Sequence, residues 1–266
     1  MPNPATSTTD LVAVAETLRR AQADRTPCAP VRDRIADADI DAAYAIQQMN
    51  IDARIADGQR LIGRKIGLTS PAVQAQLGVD QPDYGALLSD MVLPENGRLH
   101  LDDILQPKAE AEIAFILGDG LDMKMPTVVD VLRATQFIAP AIEIVGSRIA
   151  NWDIRLCDTV ADNASSGMFV LGSPVRKPEG FDFTGCGMRM YADDNLVSEG
   201  SGRACLGNPL NAVAWLAARM QAMGAPLRGG EVILSGALGP MSPLSTPCHI
   251  RAEIEGLGTV AFEFGE

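Results

Sequence analysis

The chain has 266 residues, 47% hydrophobic and 21% charged, enough for the core of one large domain and too apolar for an intrinsically disordered chain. A formal net charge of −12 argues against a nucleic-acid surface, because phosphate binding needs clustered lysine and arginine. The five cysteines are scattered without a CxxC pair, the N-terminal MPNPATSTTD lacks a basic stretch and an apolar core, and no apolar run approaches the roughly 20 residues of a membrane span, so a reducing cytoplasm is the expected location.

In chain order, apolar residues recur at helical spacing over 8–23 (Leu11, Val14, Ala15, Leu18) and 39–57 (Ile40, Ala43, Tyr44, Ile51), joined by the proline-bearing connector TPCAPVRD. An apolar run from Leu61 through Ile66 predicts a strand feeding a short helix, with Ser70 as N-cap, Pro71 at the first helical position and Gly78 as terminator. Strands are then expected at 108–117, 137–146, 167–172, 185–192, 230–235, 248–254 and 258–264, with Asp193-Asp194-Asn195 as a hairpin turn. The segment from Pro209 to Gly224 reads as an amphipathic helix closed by glycine. The expected fold class is therefore α+β, with a helical N-terminal portion over 1–60 and a β-rich catalytic domain over 61–266.

The chain carries no GxSxG, HExxH, P-loop or strand-borne GxGxxG motif, which leaves the common serine-hydrolase, zincin, NTPase and dinucleotide readings without their chemistry. Its two histidines, His100 in the polar turn HLDD and His249 in a C-terminal strand, read as structural or exposed, so proton transfer falls to carboxylates or lysine. In KAEAEIAFIL, Glu110 and Glu112 share one face of a strand; like charges there are either solvated or gathered around a cation. Glu143, in the otherwise apolar strand APAIEIVGS, favours the cation, and three oxygen ligands suit a hard divalent ion such as Mg²⁺ or Mn²⁺. Lys65, between Gly63 and Gly67, and Asp83, after Pro82 in a turn ending at Gly85, read most plainly as an exposed lysine and a turn former. DTVADNASSG at 158–167 reads as a polar loop offering Asn163, Ser165 and Ser166 as donors.

Together, GRKIGLTSPAVQAQLGVDQPDYG, QPKAEAEIAFIL, APAIEIVGSRIANW, DTVADNASSG, CLGNPLNAVAWLA and SGALGPM resemble the 2-keto-4-pentenoate hydratase (2-hydroxypenta-2,4-dienoate hydratase) family of the fumarylacetoacetate hydrolase superfamily. The resemblance spans about residue 30 to the C-terminus. It implies a β-rich twisted roll with flanking helices, a divalent metal on Glu110, Glu112 and Glu143, and acid/base and substrate-positioning roles for Lys65, Asp83 and Ser165. It also implies a small-molecule 2-hydroxydienoate substrate, hydration of 2-hydroxypenta-2,4-dienoate in aromatic meta-cleavage catabolism, and symmetric oligomers built on rings of five. Two enzymatic alternatives stay open, a 4-oxalocrotonate-type decarboxylase and a hydratase of a longer dienoate; a third is a non-catalytic subunit that partners the downstream aldolase.

Overall fold

Two helices open the chain in the computed structural model, which describes residues 8–35, 39–70, 74, 79, 81–173 and 175–266. Helix α1 (Thr8–Ala23) buries Val14, Ala15 and Leu18. Helix α2 (Ile40–Ala56) starts at Asp39, whose carboxylate accepts from the Ala42 amide at 2.9 Å, and it buries Ala43, Ile46 and Ile51. The connector between them is tied down at both ends. Cys28 exchanges backbone hydrogen bonds with Arg148 and Ala150, and buried Asp158 accepts from the Val31 and Arg32 amides and the Arg32 guanidinium at 2.8–2.9 Å. The helix expected from Ser70 to Gly78, with Pro71 at its start, lies outside the described residues except at Ser70 and Gln74.

Past α2 the chain turns β-rich: β1 (Leu61–Gly67), β2 (Asp83–Leu88), β3 (Val92–Leu93), β4 (Arg98–Leu99), β5 (Lys108–Leu117), α3 (Val128–Ala134), β6 (Thr135–Val145), α4 (Leu156–Ala161), β7 (Met168–Leu171), β8 (Gly187–Ala192), β9 (Asn195–Ser201), α5 (Pro209–Ala222), β10 (Val232–Leu234), β11 (Ser242–Pro243), β12 (Cys248–Ile254) and β13 (Gly258–Phe264). One sheet runs β2-β1-β10-β5-β6-β7-β3, with β11 added to β5; the other runs β4-β13-β12-β8-β9. The long antiparallel pair β5–β6 is buried on both faces, with Ile113, Phe115, Ile138 and Ile142 sealed from water on one and Ala114, Ala139 and Ala141 on the other. Val14 and Ile46 of the opening helices share one apolar cluster with Ile113 of the first sheet and Phe262 of the second, so the helices close over the same core. Among the described residues, no helix is long and apolar enough to cross a membrane.

The structure corrects three local expectations. Lys65 is not an exposed lysine: it is 3% exposed on strand β1, because its side chain reaches from the strand to the buried Glu143. Asp83 and Gly85 belong to strand β2 and not to a turn, because Pro82 lies just before the strand and Gly85 serves to make space. The first part of the presumed loop 158–167 is helix α4, whose Asp158 carboxylate accepts from the Arg155 amide at 2.8 Å and so satisfies one of the helix's free N–H groups.

Candidate active site

Glu110 and Glu143 are direct cross-strand partners in the β5–β6 ladder, and Glu112 follows on the same face. One oxygen from each of the three carboxylates lies within 4.8 Å of those of the other two. Glu112 and Glu143 are buried, and Glu110 is half-buried. One oxygen of Glu112, Oε2, accepts from the Gly236 amide at 2.7 Å; its Oε1 and Glu143 Oε2 accept no hydrogen bond among the described residues, and Glu143 Oε1 faces the Lys65 ammonium. Gly236 presents that amide from a left-handed conformation (φ +103°), where a Cβ would meet the Thr69 side chain at 2.4 Å. Three converging carboxylates with orphaned, buried oxygens either take up protons or surround a cation, and an all-oxygen donor set fits a hard divalent ion.

Lys65 lies on β1, separated from β6 by β10 and β5. At about 4.8 Å per strand, a flat sheet would set the two backbones roughly 14 Å apart. The curl of the sheet and the length of the lysine side chain nevertheless bring Nζ to 3.2 Å from Glu143 Oε1. Lys65, Gly67, Asp83 and Gly85 share one face of the β1–β2 ladder, with Gly67 opposite Asp83 and Lys65 opposite Gly85. The two glycines make this face possible. A Cβ on Gly67 would lie 2.2 Å from Asp83 Oδ1 and 3.6 Å from Lys65 Nζ; one on Gly85 would lie 2.4 Å from Asn163 O.

Ser165 reaches the same place from a turn in which Asn163, Ala164 and Ser165 all have φ between 51° and 56°. For residues with a Cβ this conformation costs about 1 kcal/mol or more each. It is held by the Asn163 side chain, which pairs with both backbone groups of Ala86 at 2.8 and 2.9 Å, and by the Gly146 amide donating to Ser165 O at 2.9 Å. Ser165 Oγ lies 3.1 Å from Thr159 Oγ1, which in turn makes a long 3.5 Å contact with Asp83 Oδ2. Thr159, on α4, was not among the residues singled out from the sequence; the turn that returns Ser165 beside it has no periodic signature. His100 and His249 stand apart, the first exposed after β4 and the second on β12, and Ser166 Oγ turns back to Asn163 O at 2.7 Å.

The charges in this pocket compete. Burial pulls the Lys65 pKa down, but Glu143, Asp83, Glu110 and Glu112 together outweigh it and hold the ammonium above its ordinary value. Burial raises Asp83, with Lys65 and Thr159 opposing; burial also raises Glu110. Glu143 is pushed up to about 7 by burial, with Lys65 resisting, and Glu112 goes well above the carboxylate range through burial and the neighbouring Glu143 and Glu110.

The chain matches the fumarylacetoacetate (FAA) hydrolase C-terminal family over residues 62–264. It is 52% identical over 252 residues to 2-keto-4-pentenoate hydratase 2 of Dechloromonas aromatica, covering 95% of this chain and 96% of the relative. The TodF product hydratase of Pseudomonas putida is 53% identical over 252 residues, with coverages of 95% and 94%. Among solved structures, 4-oxalocrotonate decarboxylase from Pseudomonas putida G7, complexed with magnesium and adipate, matches with a TM-score of 0.92 at 31% identity over 97% of this chain and 98% of that one.

Proposed function

This chain belongs to the 2-keto-4-pentenoate hydratase family of the fumarylacetoacetate hydrolase superfamily, and from that premise we propose that it adds water to 2-hydroxypenta-2,4-dienoate, giving 4-hydroxy-2-oxopentanoate, in the meta-cleavage catabolism of aromatic compounds. The observation that carries this reading is the buried convergence of Glu110, Glu112 and Glu143 with Lys65 in a chain just over half identical to hydratases. Glu110, Glu112 and Glu143 would hold Mg²⁺ or Mn²⁺, which when bound supplies Lewis-acid stabilisation of negative charge on the carboxylate and 2-oxygen of a 2-oxo acid. All six proposed site residues fall within 61–266, which we take as the catalytic domain, with 1–60 as a helical portion closing over its core.

The reaction moves protons in two stages. The dienol loses its 2-hydroxyl proton and gains one at C5, giving a conjugated ketone; water then adds its oxygen at C4 and a proton arrives at C3. Lys65 keeps an ammonium proton poised beside Glu143 for donation. Asp83 Oδ1 is buried and accepts no hydrogen bond among the described residues, which supports Asp83 as the group that takes a proton from the attacking water. Ser165, aligned by Thr159, orients the substrate by hydrogen bonding.

A 4-oxalocrotonate-type decarboxylation needs the same enolate but no water, and the 31% identity to such an enzyme, against 52–53% to hydratases, favours hydration. A subunit without catalysis has no use for buried like charges that cost stability. By family reasoning the enzyme works in the cytoplasm as a symmetric oligomer built on rings of five and passes its product to an aldolase. The test is product analysis on a panel of 2-hydroxydienoates with and without a 6-carboxylate. Hydration of the five-carbon substrate supports the proposal. Preferred hydration of a longer chain moves the substrate assignment, and CO₂ release from the dicarboxylate moves it to the decarboxylase.

A further inference from the structure

On the face of β1 opposite Lys65 lies a second group of cations. Arg64 points away from the carboxylate cluster into a cleft of about 480 Å³ between the start of β1 and the connection from α5 to β10, and the cleft is also lined by Arg60, Arg228, Pro226 and Glu231. Among the described residues none of these three arginines has a carboxylate oxygen within 4.0 Å, in a chain whose net charge is −12. Arg64 is the telling one. It is only 9% exposed, and among the described residues its side chain makes one hydrogen bond, to the carbonyl of its neighbour Gly63 at 3.3 Å, which leaves the other guanidinium donors facing the cleft. Glu231 does not neutralise it at contact distance; its Oε2 instead accepts from the Arg228 amide at 3.3 Å. A largely buried guanidinium without a contact counter-ion is costly, and burial lowers the Arg64 pKa with the more distant charge of Glu231 opposing.

We propose that this cleft binds a small multivalent oxyanion, of phosphate or carboxylate chemistry, with Arg64 at its floor and Arg60 and Arg228 at its rim. Three guanidinium groups against one carboxylate leave an excess of about two positive charges, and their planar forks match the paired oxygens of such an anion. The cleft volume falls in the usual range for small-molecule sites. The site communicates with the carboxylate cluster by covalent continuity alone: Arg64 precedes Lys65, and β10, which leaves the cleft at Glu231, leads to the Gly236 amide that Glu112 accepts from.

The test is calorimetric titration of metal-loaded protein with inorganic phosphate, and separately with succinate, at ionic strength held constant with chloride. The expected result is saturable binding of at least one of them to the wild type, weakened at least about 10-fold in Arg64→Met and in the double variant Arg60→Gln/Arg228→Gln, whose exposed positions leave folding intact. Arg64→Met should also raise the thermal midpoint of the anion-free protein, since it removes an uncompensated buried charge. Absence of binding to the wild type, or equal binding to wild type and both variants, overturns the proposal. So does loss of the assembled state in Arg64→Met by light scattering, because the counter-ion would then be a carboxylate of a second copy.

Discussion

At the residue scale, what distinguishes this site is one buried lysine whose ammonium is favoured by the acids around it. Lys65→Ala and Asp83→Asn should each lower kcat on the order of 10²-fold or more. Metal affinity should be undiminished in both, and for Lys65→Ala it should rise, because an ammonium 3.2 Å from Glu143 repels a cation. Steady-state kinetics beside metal titration checks this; near-normal kcat in a folded, metal-loaded variant removes that residue from the mechanism. Gly67→Ala is a finer probe. Its Cβ would press on Asp83 Oδ1, so turnover should fall by about 10² while the metal still binds. The ExE spacing and the apolar setting of Glu143 make the acids legible in the sequence. The buried strand position of Asp83 is not, since Pro82 and Gly85 carry the signature of a turn, and a glycine needed for space looks the same as one needed for φ. Thr159 is equally silent, a hydroxyl in a polar stretch until the left-handed turn brings Ser165 beside it.

At the scale of elements, β5 and β6 carry like charges that destabilise their own pairing. With Glu143 raised from 4.5 to about 7, and Glu110 and Glu112 also raised, the folded metal-free protein binds more protons than the unfolded chain between those values. Its stability should therefore fall as pH rises from about 5 to about 8. A divalent ion should displace the protons, so its affinity should climb over the same range. Chemical denaturation and metal titration against pH read both slopes. A flat or rising stability curve for metal-free protein would show that the cluster is not protonated. Glu112→Gln can keep the bond to the Gly236 amide, so it should stabilise metal-free protein by about 1 kcal/mol or more while weakening metal binding by at least about 10-fold. Strands with clear alternation, such as β5, β12 and β13, coincide with their expected bounds, as does α1. Helix α4 does not announce itself, because six residues give less than two turns of periodicity and its stability comes from packing and from Asp158.

At the scale of the molecule, the connector between the opening helices is fastened to helix α4 through Asp158, which is sealed from water and accepts from the Val31 amide, both the amide and the guanidinium of Arg32, and the Arg155 amide. Asp158→Ala would leave several of those donors without an acceptor and should cost about 3 kcal/mol in stability, visible in the denaturation midpoint, with the residual folded fraction still binding metal. Sheet order and curl were not legible in the sequence: strand patterns give faces, not neighbours, and only the insertion of β10 between β1 and β5 sets how far Lys65 must reach to Glu143. The resemblance of the scattered motifs to one family supplies what periodicity lacks; in the structure the three glutamates converge with Lys65, and Ser165 reaches Asp83 through Thr159. The central claim is that water is added there. It is tested most directly by converting 2-hydroxypenta-2,4-dienoate in ¹⁸O-labelled water and locating the label by mass spectrometry. Label at the C4 hydroxyl of 4-hydroxy-2-oxopentanoate is the predicted result; a turned-over product with no label at C4 would contradict it.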